Sequence, residues 1–280
     1  MSMIDKVIEV NLTHEEAVLL EDLNKVVADI VITHEKWRVS ISRHPKPRTV
    51  SGMGGLFATA RQANSIGLLV ESGHVDGAMI LLRSLIEAYL NISYIYIADD
   101  LSNMVRFMYD ADKSMLDNTK KYQQFVNTTY TKVKYTPEMF SLLIDKYNDA
   151  ILDTSKMGFP LKPMPDLRSM SESLLKHTGC PFFGELYFNS YLLLCDGAHA
   201  SASVIAAISM SKDFEERWGG GQDLGSKKET LTISLEVLAS MVIFLEKNAK
   251  FRIFKFGYLD RQLINKYNRY EEYEKLKLMT

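Results

Sequence analysis

The sequence has few of the residues that interrupt helices or crosslink small folds. Its 280 residues include only 7 prolines, 15 glycines and 2 cysteines. This scarcity excludes collagen-like and linker-rich chains and argues against β-turn-rich architectures, because each needs frequent breaks in the backbone. Cys180 and Cys195 lie in or beside apolar segments without metal-ligand or redox spacing, so we expect buried, reduced thiols in a cytoplasmic protein.

A strong charge of either sign is also lacking. The chain has 33 basic and 35 acidic residues, a formal net charge of -2. This balance excludes a globally basic nucleic-acid coat and an acidic disordered protein. No secretory signal is predicted. Charged residues interrupt the most apolar stretches, 77–98 and 231–245, so we expect no membrane segment.

Hydrophobic residues are abundant, at 46% of the chain, and recur at helical spacing almost throughout. We therefore predict an all-α fold, a helical bundle of about eight or nine helices with long buried central helices. Thr13 and Glu16 form a capping box that begins a helix reaching about Trp37. The prolines and glycines of 43–55 predict a loop, and the helix after it should end at Gly73.

The second half of the chain has equally clear boundaries. Three prolines in 155–165 predict a loop that divides a helical core domain, 1–246, into two subdomains. Thr136 and Pro137 predict the start of the helix before this loop, and Pro181 opens another long apolar helix after it. The final helices are expected from 229 to about 256 and from 259 to the end. Residues 247–280 are predicted to form a basic, aromatic, helical C-terminal extension.

Two helices that are otherwise apolar each carry one polar stripe. Residues three and four apart lie on the same face of a helix. This spacing aligns Asp76, Arg83, Glu87, Asn91 and Tyr94 on the third helix, and Asn189, Asp196, His199 and Ser203 on the helix that begins at Pro181. Buried charges are costly unless they are paired, so we expect Arg83 and Glu87 to pair with each other or with a facing helix.

The candidate site residues are therefore Arg83, Glu87, Asp196 and His199, and two interpretations stay open. In the first, they form internal polar networks that fix the register of the helices. In the second, the stripes face each other across a cleft, where Arg83 binds an anion, His199 acts as acid or base, and Asp196 orients His199. The sequence shows no metal-binding or nucleophile-elbow motif, so we expect neither a metal nor a cofactor.

The segments GHVDGAMILLRSLIEAYLN, with its Arg-x-x-x-Glu pair, and YFNSYLLLCDGAHAS, with its Asp-x-x-His pair, resemble a widespread and mostly bacterial family of uncharacterised helical proteins. The resemblance runs from about Arg48 to about Met210. It implies an intracellular, all-helical domain and, for some members, a role in defence against phage.

A more distant resemblance is to HEPN ribonucleases, helical proteins that typically dimerise and cleave RNA without a metal by means of an Arg and a His. It implies that Arg83 stabilises phosphate charge while His199 transfers a proton. Those enzymes place the two residues a few positions apart on one helix, whereas no His lies between Ser84 and Asn91 in this chain.

The C-terminal segment from Lys247 onward differs from the rest of the chain in charge. It has nine basic and four acidic residues, so it is net +5 and the remainder is -7, and seven aromatic residues interleave with the charges. This composition suits contact with RNA or with a partner groove. The alternatives are an amphipathic helix whose aromatic side chains pack on the core, and a dimer interface.

Two functional hypotheses follow. The first is an intracellular binding or regulatory component of a bacterial conflict system, such as phage defence, with a protein partner or a second copy of the chain as its ligand. The second is a HEPN-like, metal-independent ribonuclease that uses Arg83 and His199. An open pocket around Arg83, Glu87, Asp196 and His199 would favour the enzyme, and a closed network would argue against it.

Overall fold

The computed structural model describes residues 12–40, 47–98, 100–128, 136–192, 194–195, 226–248 and 251–270. Every regular element in these ranges is helical, so the predicted all-α bundle is confirmed. The α-helices, in chain order, are α1 His14–Ser40, α2 Pro47–Glu71, α3 Val75–Ile97, α4 Ser102–Thr128, α5 Pro137–Ser155, α6 Leu167–Thr178, α7 Phe182–Glu185, α8 Lys227–Asn248 and α9 Arg261–Tyr267. A π-helical turn, Leu186–Tyr191, follows α7, and a 3-10 turn, Ile253–Phe256, precedes α9.

Local chemistry determines where the first two helices begin and end. At the start of α1, the N–H of Glu16 donates to Thr13 Oγ1 at 3.2 Å and the N–H of Thr13 donates to Glu16 Oε2 at 2.8 Å. After α2, Gly73 has a left-handed φ of 78° and the N–H of His74 donates to the carbonyl of Leu69 at 2.7 Å. These are a capping box and a Schellman motif, and both predicted boundaries are confirmed.

The loop predicted over 43–55 is wrong from Pro47 onward, where α2 begins. Proline is tolerated there because the first turn of a helix has no acceptor for the missing N–H. One of the glycines inside α2, Gly55, is required for close packing of this helix. A Cβ at Gly55 would overlap the side chain of Ile92 on α3, whereas nothing lies within 4 Å of a Cβ at Gly54. Gly55 therefore allows α2 and α3 to approach closely.

The helix predicted from 229 to about 256 is also wrong at its end. α8 stops at Asn248, and Arg252 has a left-handed φ of 49° just before the 3-10 turn. The last helix begins at Arg261, because Asp260 caps it by accepting from the N–H groups of Gln262 and Leu263. This helix ends at Tyr267, since Asn268 has an extended backbone with φ -71° and ψ 115°, so the helix predicted from 259 to the end of the chain is wrong in its extent. Residues 271–280 lie outside the described part of the chain.

The chain divides into two compact units. One comprises Met1–Ser93 and Leu167–Thr280, and the other comprises Tyr94–Asp166. In the second unit α4 and α5 pack together, and the ring of Tyr122 meets that of Phe140 edge-on with centroids 5.7 Å apart. The predicted loop after α5 is confirmed by the gap between α5 and α6, while a domain boundary at 246/247 stays a prediction.

Aromatic side chains from several elements form the core of the first unit. Tyr89 on α3 stacks on Phe183 of α7 with ring centroids 5.4 Å apart, and Phe183 meets Phe244 of α8 edge-on at 6.0 Å. Tyr270 completes the cluster, 5.3 Å from Phe244. Each such pair contributes about 0.5–1.5 kcal/mol beyond the area that it buries. Tyr270 thereby anchors the C-terminal segment to the core.

Among the described residues, α3 has the length and composition of a membrane-crossing helix. Its most apolar window has a mean hydropathy of 1.3, and 56% of that window is buried inside the protein. The core helix of a soluble protein meets the same criterion, so this is weak evidence for a membrane span. The absence of a membrane segment stays a prediction.

Candidate functional site

One face of α3 is polar and only half buried. The neighbouring apolar residues Leu82, Leu85 and Ile86 are at most 2% exposed, whereas the side chains of Arg83 and Glu87 are 24% and 34% exposed. The periodicity of α3 produces this division, since residues 83 and 87 lie one turn apart on the same side. The two charged groups are therefore accessible to solvent at the edge of the core.

Arg83 and Glu87 pair as predicted, and Tyr191 joins them. Arg83 Nε lies 3.3 Å from Glu87 Oε1, and the hydroxyl of Tyr191 donates to the same carboxylate oxygen at 2.7 Å. Arg83 Nη2 in turn donates to the Tyr191 hydroxyl at 3.3 Å. The guanidinium carbon also lies 5.3 Å from the centroid of the Tyr191 ring, within cation–π range. We refer to Arg83, Glu87 and Tyr191 as the Arg83 cluster.

The electrostatics of the cluster keep Arg83 and Tyr191 protonated near neutral pH. Burial raises the pKa of Tyr191 well above its ordinary value, and the hydrogen bond to the Glu87 carboxylate raises it further. The hydrogen bond to Tyr191 likewise raises the pKa of Arg83. Arg83 is thus a cation and Tyr191 a neutral donor across the physiological range.

The π turn positions Tyr191. Tyr191 is its last residue, and its ring stacks on that of Tyr187 with centroids 5.6 Å apart and planes 18° apart. Phe188 lies between them in sequence and is 46% exposed. A π turn holds more residues per turn than an α-helix, so the 3.6-residue spacing behind the second predicted stripe does not hold within this turn. Such turns are frequent at functional sites.

The other stripe residues that the structure describes are not part of the cluster, and Ser203 lies outside the described residues. Asp76 and Asn189 are exposed, Asn91 donates to the backbone carbonyl of Glu87 at 2.9 Å, and the hydroxyl of Tyr94 accepts from Arg106 at 3.2 Å. The polar stripe of α3 is therefore a row of separate local interactions around one ionic cluster.

Two of the four predicted site residues, Arg83 and Glu87, are together in the structure. The other two, Asp196 and His199, lie outside the described residues. The described chain reaches Cys195, a half-exposed free thiol whose hydrogen bond to Tyr191 contributes to the raised pKa of that residue. The helix that carries Tyr191 thus comes beside the Arg83 cluster directly before Asp196 in sequence.

Sequence reasoning did not select Tyr191 as a site residue. The signal that the sequence contains is the tyrosine-rich stretch YFNSY at the start of the segment YFNSYLLLCDGAHAS. The partner of Tyr191 could not be read from spacing, because Glu87 is 104 residues away along the chain. In the part of the chain that the structure describes, no group of three or more His, Cys, Asp or Glu side chains is arranged to hold a metal ion.

The arrangement can present a guanidinium and a carboxylate to a ligand in one fixed geometry. Comparison with known protein families shows that residues 53–216 match the model of a family of unknown function, DUF5677. The matched region contains α3, the π turn and all four predicted site residues, and it confirms the predicted resemblance to an uncharacterised family. No curated protein and no solved structure matches the chain.

Proposed function

The chain belongs to DUF5677, a family of unknown function, and we propose that it is a binding or regulatory component of a bacterial conflict system, such as one that defends against phage. The Arg83 cluster is the polar centre of its binding surface. The observation that carries this proposal is the double use of Glu87 Oε1, which accepts from Tyr191 at 2.7 Å and lies 3.3 Å from Arg83 Nε.

This geometry favours binding over catalysis. A guanidinium that must bind a phosphate during a reaction would have to compete with the carboxylate of Glu87, whereas a binding surface can use both charges at once. A solvent-accessible ion pair contributes only about 0–1 kcal/mol to stability. Fold stability is therefore a weak reason for the Arg83–Glu87 ion pair itself, and recognition of a partner with polar groups is a stronger one.

Phage challenge tests this proposal. The chain would be expressed with the genes that adjoin it in its own genome, and the efficiency of phage plating would be measured. We expect Glu87→Gln and Tyr191→Phe to abolish protection. The matched control is Glu172→Gln on α6, which removes the acid of another i,i+4 Arg–Glu pair, Arg168–Glu172, with a separation of 2.9 Å. No protection by the wild type, or equal loss in all three variants, would contradict the proposal.

A specific observation favours a second candidate function, a HEPN-like ribonuclease that needs no metal. Cys195 lies against Tyr191, and Asp196 and His199 follow Cys195 one and four positions later in the sequence. In this proposal Arg83 stabilises the charge on the phosphate, and His199 takes the proton from the attacking 2′-hydroxyl or gives one to the leaving oxygen.

The nuclease proposal has its own test. Purified protein would be incubated with tRNA or total RNA in the presence of EDTA, and the products separated by electrophoresis. Cleavage by the wild type that is lost in Arg83→Gln and His199→Ala but kept in Arg168→Gln would support it. If the wild type leaves the RNA intact, or His199→Ala cleaves as well as the wild type, the nuclease is excluded.

We also propose a cytoplasmic location. Both cysteines are free thiols, as is usual in a reducing compartment. Fractionation of cells that express the tagged chain tests this, and recovery in the membrane fraction after a carbonate wash would contradict it.

A further inference from the structure

The basic residues of the C-terminal segment between 251 and 270, which the structure describes, fall into two classes. Lys266 and Arg269 are used inside the protein, since Lys266 Nζ lies 2.7 Å from an Asp22 carboxylate oxygen and Arg269 Nη1 lies 3.0 Å from that of Glu236. The sole acid among residues 251–270, Asp260, is paired with Lys25 at 2.6 Å. Lys266, Arg269 and Asp260 are thus all engaged in ion pairs.

Three other cations of this segment remain without such partners. Arg252, Lys255 and Arg261 are exposed, and none of them has a carboxylate partner among the described residues. Lys36 of α1 joins them, since it is exposed, lacks a carboxylate partner in the same ranges, and holds its Nζ 5.9 Å from the ring centroid of Tyr258. Four exposed positive charges thus lie within residues 252–261 and on the part of α1 that contacts Tyr258.

Aromatic rings lie among these charges. The Tyr258 side chain is 41% exposed, and the guanidinium carbon of Arg261 lies 4.3 Å from the centroid of the Phe254 ring. Arg261 is itself exposed, and a planar guanidinium is a group on which a second flat group can stack. We call Lys36, Arg252, Lys255, Tyr258 and Arg261 the basic–aromatic patch.

The backbone holds the patch in a defined shape. Left-handed residues, Arg252 with φ 49° and Gly257 with φ 75°, bracket the 3-10 turn. Ile253 is fully buried, and its N–H donates to the carboxylate of Glu246. Leu259 is only 8% exposed. Ile253 and Leu259 therefore pack into the core, Phe254 and Phe256 are half-buried, and Lys255 and Tyr258 are exposed.

From this arrangement we propose that the basic–aromatic patch binds single-stranded nucleic acid. Proteins that bind single strands combine cations that contact phosphates with aromatic faces on which bases stack. The patch supplies four cations and, in Tyr258 and the Arg261 guanidinium, two flat surfaces. This binding role goes beyond the proposed function, because the patch shares no residue with the Arg83 cluster and lies wholly outside the family-matched region 53–216.

Other anionic partners fit the patch less well. An anionic membrane would need protruding apolar side chains, yet Ile253 and Leu259 are buried. An acidic peptide would use the cations but has no need of the exposed ring face of Tyr258. The ring face and the four charges together match unpaired bases on a phosphate backbone.

The experiment is fluorescence anisotropy of labelled 12-nucleotide single strands, oligo-U and oligo-dT, titrated with the full chain at several salt concentrations. The slope of log K against log salt is negative, and each lost phosphate contact should reduce its magnitude by about 0.7 for single strands. We expect the double variant Lys255→Gln/Arg261→Gln to reduce that magnitude by about 1.4. We also expect Tyr258→Leu to weaken binding about tenfold and Tyr258→Phe to bind like the wild type.

The matched control is Lys120→Gln/Lys121→Gln on α4, which removes the same net charge from exposed residues elsewhere. Unchanged binding by this control would support the patch as the site. Equal weakening by the control and the patch variants would overturn the proposal. So would the absence of binding to either oligonucleotide, tighter binding of a duplex of the same length, or binding of phosphatidylserine vesicles or of poly-glutamate without binding of the single strands. The salt dependence of wild-type binding tests the proposal even if a patch variant fails to fold.

Discussion

Tyr191 at the end of the π turn donates a hydrogen bond of 2.7 Å to Glu87 on α3, which is 104 residues earlier in the chain. The Glu87 oxygen that accepts it also forms the ion pair with Arg83. One phenol therefore connects two elements and orients a charged pair that remains open to solvent. The connection depends on the π turn, which brings the Tyr191 side chain to α3.

Removal of the Tyr191 hydroxyl should destabilise the protein measurably. A hydrogen bond to a charged group contributes about 1.5–3 kcal/mol, and solvent access to Glu87 should reduce the loss to about 1–2 kcal/mol in Tyr191→Phe. Urea denaturation would measure the change in the free energy of unfolding. Tyr258→Phe is the control, because that ring is exposed, and it should change stability by less than about 0.5 kcal/mol. Equal stability of Tyr191→Phe and wild type would contradict the role of the hydroxyl.

Alkaline pH should reveal the raised pKa of Tyr191. The folded state keeps this proton above pH 10 while the unfolded chain releases it, so the stabilisation is complete below pH 10 and is lost as pH rises toward the folded pKa. The free energy of unfolding should therefore fall more steeply above pH 10 in the wild type than in Tyr191→Phe. Urea midpoints between pH 8 and pH 11 would show this. Parallel curves for the two proteins would mean that Tyr191 titrates normally.

Alanine at two adjacent glycines of α2 should have opposite effects. Gly54→Ala places a methyl group where nothing lies within 4 Å, so it should raise the free energy of unfolding by about 0.5–1 kcal/mol through helix propensity. Gly55→Ala forces the side chain of Ile92 to move, and overpacking costs about 1–3 kcal/mol. Thermal melts of both variants would measure the difference, and a stabilising Gly55→Ala would show that α2 and α3 are not closely packed there.

The two thiols should differ in reactivity. Burial raises the pKa of Cys180 to about 11, so almost none of it is thiolate at pH 8, while Cys195 is half exposed. Titration of the native protein with Ellman's reagent should show one fast and one slow thiol. In Cys195→Ser the fast phase should disappear, and in Cys180→Ser it should remain. A fast phase that survives in Cys195→Ser would place the accessible thiol at Cys180.

The pairing of Arg83 with Glu87 was predictable because it is local. The two residues lie four positions apart. Opposite charges at that spacing on a helix are neighbours regardless of how the rest of the chain packs. The expectation that an apolar helix would bury them was less accurate, since α3 buries its apolar positions and leaves this face half exposed. Because α3 is apolar on most of its faces, its sequence indicates only weakly which face is exposed. The packing of the helix decides this.

Errors at the ends of helices had a common cause. Pro47, Gly54 and Gly55 indicate a break when judged by propensity alone, yet the contact between Gly55 and Ile92 favours a helix there. The reverse occurs after Asn248, where helical periodicity continues but the chain turns at Arg252. At Gly55 a tertiary contact overrides a local preference of about 1 kcal/mol per residue. After Asn248 the chain instead turns so that Ile253 is buried and its N–H donates to Glu246.

Short-range chemistry in the sequence was enough to establish that the protein is helical, where Thr13 and Gly73 place the ends of α1 and α2, and that Arg83 pairs with Glu87, because each depends on residues within one or two turns. Only the tertiary structure could bring Tyr191 to Glu87 or divide the C-terminal cations into the paired Lys266 and Arg269 and the exposed patch. Those relationships join residues that are distant along the chain, and no periodicity encodes the packing that brings them together.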